Sequence, residues 1–152
     1  MGIAVQITQN LQDLDVSLSK IKKLVKAICN RFKVTNAMVS IAIVDDAQMR
    51  KVNTQFLNCK STTDCLSFDL SDDRSPESCR SFELVVNGEL ALKEANLRGH
   101  SSEAELALYI THGLLHNLGF DDSTQKQAKK MHDTEDEILQ QFGYGLVYND
   151  GK

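Results

Sequence analysis

The stretch SSEAELALYITHGLLHNLGFDD, from Ser101 to Asp122, constrains this 152-residue chain more than any other. Ala107, Ile110, Leu114 and Leu118 recur at three- and four-residue steps, which is the spacing of one buried helix face. Ser102 followed by Glu105 predicts a capping box at the start, and Gly119 predicts a left-handed stop at the end. Two histidines sit on this helix four residues apart. Residues at that spacing are about 40° apart around the axis and one turn along it. His112 and His116 therefore point the same way, and Gly119 lets the chain turn so that Asp122 approaches from another direction. Three such ligands with an open fourth position are what a catalytic zinc requires. The alternative is an amphipathic helix that carries two histidines by accident. Gly113 stands where zinc peptidases of the H-E-x-x-H kind place their general-base glutamate, which tells against that mechanism.

The other segments supply a small sheet and its covering helices. Ile3–Thr8 alternates apolar and polar residues and predicts a half-buried strand. Ser17–Lys33 predicts a helix capped by Ser17, with Leu18, Ile21, Val25, Ile28 and Phe32 on one face. Met38–Val44 is β-branched and apolar, a buried strand. Asp45 or Asp46 caps a second helix over roughly 47–58. Asp64–Leu70 predicts a strand, and Ser71–Ser81, which holds the only proline, predicts a loop. ELVVNGELAL predicts either a hairpin turning at Asn87-Gly88 or a loop followed by a strand over Gly88–Leu92, with a short helical piece near 93–97. A last helix over about 123–142 turns Met131, Ile138 and Leu139 inward. The mixture gives an α/β (α+β) single domain, with about four strands in a mixed sheet and four to five helices packed on it. Residues 1–152 form that one domain, and 143–152 are a short C-terminal tail.

Hydrophobic residues make up 41% of the chain and charged residues 25%, with a formal net charge of −4. These values fit a folded domain and tell against nucleic-acid binding by bulk charge, while leaving room for a local basic face. The best such face is the first predicted helix. Lys20, Lys22, Lys23, Lys26, Arg31 and Lys33 have no acidic residue between them and read equally as phosphate contacts or as a solvated surface. Lys126, Lys129 and Lys130 lie closer in sequence to the histidines. The chain has no signal-peptide pattern and no apolar run near the ~18 residues of a membrane span, so a cytoplasmic protein is expected. Cys29, Cys59, Cys65 and Cys79 form no C-x-x-C pair and read as reduced thiols.

HGLLHNLGFDD followed by MHDTEDEIL resembles the YbeY family, whose pattern is H-G-x-L-H-L-x-G-Y-D-H and then M-x-x-x-E-x-x-I/L. Met131, Glu135, Ile138 and Leu139 match the later helix. STTDCLSF resembles the family's P-T-D-V-L-S-F through Thr63, Asp64, Leu66, Ser67 and Phe68. NGELAL resembles its G-D/E-I-x-I strand through Gly88 and Glu89. Four blocks in the same order and spacing cover about Asn53 to Tyr144. The resemblance implies a metal-dependent endoribonuclease that hydrolyses phosphodiester bonds of single-stranded RNA in the maturation and quality control of ribosomal RNA. Its partners would be ribosomal RNA and the small ribosomal subunit.

The chain departs from the family at two positions. The family has histidine where this chain has Asp122. A His112, His116 and Asp122 set gives net +1 with Zn²⁺ and makes Mn²⁺ an alternative to zinc. Asp122 is the expected third ligand, and His132, ten residues on, is the alternative to it. The family also has arginine at the position of Leu57, and leucine cannot clamp a phosphate. Lys60 is the nearby replacement cation, and Thr63 and Ser67 are candidate substrate contacts or strand caps. Glu135 reads as a partner behind a ligand or as a surface ion pair. Together the departures leave two alternatives open. One is a weak or inactive ribosome-associated factor that keeps the fold, and the other is a different zinc hydrolase.

Overall fold

The computed structural model describes residues 2–73, 75 and 78–145. The tail from residue 146 onward, and part of the 71–81 loop, lie outside the described residues. Nine elements follow in order: β1 (Ile3–Gln9), α1 (Leu18–Arg31), β2 (Ala37–Val44), α2 (Asp46–Leu57), β3 (Cys65–Asp69), β4 (Arg80–Asn87), α3 (Gly88–Arg98), α4 (Ser102–Asn117) and α5 (Gln125–Gln141). The four strands form one sheet in the order β1-β2-β4-β3. β1, β2 and β4 are parallel, and β3 runs antiparallel along β4 as an edge. This is the mixed sheet with five helices that the sequence patterns predict.

Local chemistry sets most element ends. The Ser17 hydroxyl accepts from the Lys20 amide at 3.2 Å and starts α1. Asp45 caps α2 and exchanges bonds with Gln48 in a reciprocal box, which satisfies two otherwise orphaned amides. α4 starts one residue earlier than its sequence pattern predicts. Ser101 caps it by accepting from Ala104, so no box forms between Ser102 and Glu105. Glu105 instead turns inward, only 1% exposed, and faces Arg98 at 3.6 Å. α4 ends as expected, with Gly119 at φ +103°.

The segment at Asn87-Gly88 corrects both readings of ELVVNGELAL. There is neither a hairpin nor a strand over Gly88–Leu92. β4 runs to Asn87 and passes directly into α3. Asn87 is the N-cap, its side-chain oxygen accepting from Leu90 at 2.9 Å. Asparagine serves helix caps as well as it serves tight turns, so the dipeptide is ambiguous by its chemistry. Gly88 is required by close packing here. A Cβ there would stand 2.5 Å from Leu11 Cδ1 and 2.6 Å from Ile43 Cγ2.

The main core joins α1, α4 and α5 to one face of the sheet through Ile21, Leu24, Ile28, Ile41, Leu84, Ile110, Leu114, Met131 and Leu139. A smaller cluster of Met49, Leu66 and Val85 seats α2 on the other face. The four cysteines are free thiols. No helix among the described residues is long and apolar enough to cross a membrane.

Candidate metal centre

α4 crosses β3 and β4 at Gly113. A Cβ on Gly113 would lie 2.7 Å from Cys65 Sγ and 3.1 Å from Leu84 Cδ2, so the helix can approach the sheet only because this position has no side chain. That contact fixes the helix one residue from His112. The absence of a glutamate after His112 thus has a steric context: even a Cβ there would press on Cys65 and Leu84.

On either side of Gly113, His112 and His116 turn their half-buried imidazoles toward the loop that follows Gly119. His112 Nε2 and His116 Nε2 are 3.2 Å apart. Asp122 Oδ2 lies 3.9 Å from the first and 3.7 Å from the second. These three residues form a group whose ligand atoms all lie within 4.8 Å of one another. His132 is not part of that group.

The opposite nitrogens decide the tautomers. His112 Nδ1 donates to Glu135 Oε2 at 2.6 Å, and His116 Nδ1 donates to the Phe120 carbonyl at 3.1 Å. A carbonyl oxygen and an ionised carboxylate only accept, so each neutral ring carries its proton on Nδ1. Two bare Nε2 lone pairs and a carboxylate oxygen therefore converge. Such a set repels itself unless a cation, either a proton or a metal ion, stands among them. Ligand atoms about 2.0–2.1 Å from a tetrahedral zinc lie about 3.3 Å from one another. The three observed separations are close to that spacing.

The electrostatics agree. Burial pulls the His112 imidazolium down, but the hydrogen bond and charge of Glu135, with the fields of Asp64 and Asp122, outweigh it and raise the group above its usual value. The site draws positive charge. Asp121, exposed, bonds within its own loop, where Ser123 and the Asp122 amide hold it below the usual carboxylate range.

The surrounding residues fall into place unequally. Glu135 is fully buried and accepts from both His112 and His132, which excludes the surface ion pair. Thr63 and Ser67 are half-buried. Thr63 neighbours Asp64, and Ser67 faces α4 beside Gly113. Lys60 is exposed in the loop between α2 and β3. Leu57 ends α2 with 56% of its surface exposed, next to Phe56 at 61%. Two contributors escape the sequence reading. The Phe120 carbonyl is invisible to residue type, and Asp64 acts on His112 through its charge across the fold.

At the far end of α1, Phe32 meets Phe120 edge to face at 5.4 Å. Lys130 Nζ stands 5.8 Å above the Phe120 ring and Arg31 lies 5.7 Å from Phe32. The basic end of α1 and the basic start of α5 thus meet beside the loop that carries Asp122.

The chain matches the family model described as Endoribonuclease YbeY over residues 6–143. A protein named endoribonuclease YbeY from Caldicellulosiruptor bescii is 31% identical over 157 residues, covering 94% of this chain and 98% of that one. Another of the same name, from Carboxydothermus hydrogenoformans, is 35% identical over 106 residues, covering 70% and 73%. A solution structure of a Thermotoga maritima protein shares the fold with a TM-score of 0.64 at 21% identity, covering 91% of this chain and 88% of that one.

Proposed function

The chain belongs to the YbeY family, and we propose that it is a metal-dependent endoribonuclease of ribosomal RNA maturation and quality control. Its substrate is single-stranded RNA, its partner the small ribosomal subunit, and its place of work the cytoplasm. The observation that carries the reading is the convergence of His112 Nε2, His116 Nε2 and Asp122 Oδ2, three acceptors within 3.2–3.9 Å. The relatives, named as endoribonucleases, supply the reaction class.

His112, His116 and Asp122 would hold one divalent ion, zinc first and manganese second. Such an ion, when bound, polarises a phosphoryl oxygen and lowers the pKa of a coordinated water. The chain's own residues do the rest. Glu135 orients His112 and the Phe120 carbonyl orients His116, so neither ring reorganises on loading. Lys33 and Lys130, around Phe32 and Phe120, give the RNA backbone a cationic approach, while Arg31 is paired with Glu137 at 3.0 Å. Thr63, Ser67 and Lys60 stand on the β3 side as hydroxyl and ammonium donors to substrate.

One observation favours a second reading, a ribosome-associated member of low activity. Leu57 presents exposed carbon where the family pattern has arginine. Lys60 is a point charge and reproduces no bidentate clamp. Incubation of the purified protein with a single-stranded RNA, with EDTA, with added zinc or manganese, and as His112→Ala, separates the readings. Metal-restored cleavage that is lost in His112→Ala supports the nuclease. No cleavage by a metal-loaded protein supports the second reading, and EDTA-resistant cleavage refutes the metal mechanism.

A further inference from the structure

Glu135 is 0% exposed, yet both of its oxygens meet imidazoles. Oε2 accepts from His112 Nδ1 at 2.6 Å, and Oε1 accepts from His132 Nδ1 at 2.9 Å. His132 precedes Glu135 by three residues on α5, which puts the two side chains on one helix face. The His132 ring lies within 15° of parallel to the His112 ring, with centroids 6.4 Å apart. A buried carboxylate oxygen without a donor is costly, so each of the two needs its bond. The carboxylate is also a rigid planar unit. Gripping one oxygen sets the direction of the other.

We propose that His132 is a positioning residue of the metal centre: by holding Glu135 Oε1 it fixes Oε2 against His112 Nδ1 and keeps His112 Nε2 directed at the ion. This rests on the reading of His112, His116 and Asp122 as that centre. His132 then belongs to the site without being a ligand, and its N–H, rather than its metal-binding capacity, is what the site uses. With the donor removed, the carboxylate is free to turn toward other partners and His112 loses the acceptor that selects its tautomer.

Two substitutions separate the donor from the ring. His132→Phe keeps an aromatic ring and deletes the N–H, while His132→Gln keeps a side-chain N–H and deletes the ring. Each full-length protein is titrated with zinc against a chromophoric chelator. The histidine ring nitrogens of the metal-free proteins are read by ¹⁵N NMR at a pH where the rings are neutral. The expected result is zinc affinity lowered about tenfold in His132→Phe, the scale found when an outer-shell partner is removed. His112 should pass from the Nδ1–H form to a mixture of tautomers, and His132→Gln should stay near the parent in both respects. Parent-like affinity in His132→Phe, or an intact Nδ1–H form of His112 in that variant, overturns the proposal. If both variants lose affinity, the His112 tautomer in His132→Phe decides. If the parent binds no zinc, the metal reading fails by itself. The tautomer then still decides whether His132 positions His112: a mixture in His132→Phe supports it and an intact Nδ1–H form refutes it.

Discussion

Gly113 makes the sharpest demand on this structure, and Gly113→Ala tests it. The added Cβ would sit 2.7 Å from Cys65 Sγ, closer than real side-chain contacts come, and 3.1 Å from Leu84 Cδ2. Inserting a methyl into a well-packed core costs about 1–3 kcal/mol. Against that, alanine is better than glycine inside a helix by about 0.8–1 kcal/mol. The net expectation is a loss of about 1 kcal/mol, or a fall of about 2–4 °C in Tm for a domain of this size. Cys65→Ala removes the sulfur that the methyl strikes. In that background the helix-propensity gain survives while most of the clash disappears, so Gly113→Ala becomes neutral or stabilising. The coupling in the double-mutant cycle should then be about 1–2 kcal/mol, above the ~0.5 kcal/mol that independent sites show. Urea unfolding of the four metal-free proteins reads it. An equal effect of Gly113→Ala in both backgrounds, or a stabilised single variant, would refute the claim that Gly113 exists for the approach of α4 to β3. Cys65 itself is a neutral buried thiol, pushed far up by burial and by Asp64. No charge therefore complicates the cycle.

Three other outcomes follow from the same geometry. Zinc at 100 times its dissociation constant should stabilise the parent by about 2.7 kcal/mol; differential scanning calorimetry should show that increment absent from His112→Ala and Asp122→Ala, and its persistence in either would remove that residue from the ligand set. Asn87→Ala loses the α3 cap together with bonds to Asp46, Thr62 and the Thr63 carbonyl, so it should cost about 2–4 kcal/mol in urea unfolding; a cost below 1 kcal/mol would mean that the junction is held by packing alone. Burial alone would raise Asp69, but bonds from Ser71 and Arg80 outweigh it and hold its carboxyl below the usual value. A depressed folded-state pKa gives stability that is present above the unfolded value, near 3.9, and lost as pH falls through the folded value below it. Asp69→Asn should therefore flatten the acid limb of stability against pH, and an unchanged limb would count against the Asp69–Arg80 pair.

Legibility in the sequence followed the range of the forces involved. The helix over His112 and His116, the turn at Gly119 and the caps at Ser17 and Asp45 depend on neighbours within four residues, and each is found where its pattern sits. Asn87-Gly88 failed because two local solutions share one signal. What chose the cap over the hairpin was Asp46 and Thr62, 41 and 25 residues away, bonding the Asn87 amide. The Ser101 cap failed by one residue for a comparable reason. Glu103 is drawn off to bond the Ser17 amide at 2.6 Å, and Glu105 is buried against Arg98. Neither glutamate is therefore available to reach back to its own helix start.

The site divides along the same line. Two of its three converging atoms come from one helical turn, and Asp122 is brought in by a glycine three residues before it, so spacing alone reached the set. The shell behind it is non-local in part and not written in residue types. His116 is held by a backbone carbonyl, and His112 by a glutamate 23 residues on. His132 bonds that same glutamate, and the converging group is His112, His116 and Asp122 without it. A histidine near a metal motif can belong to it through a lone pair, as His112 and His116 do while also donating an N–H, or through an N–H alone. Only the direction of its ring, which no spacing encodes, distinguishes them. At His132 the Nδ1–H faces a buried carboxylate 2.9 Å away, and the physical role of the residue follows from that bond.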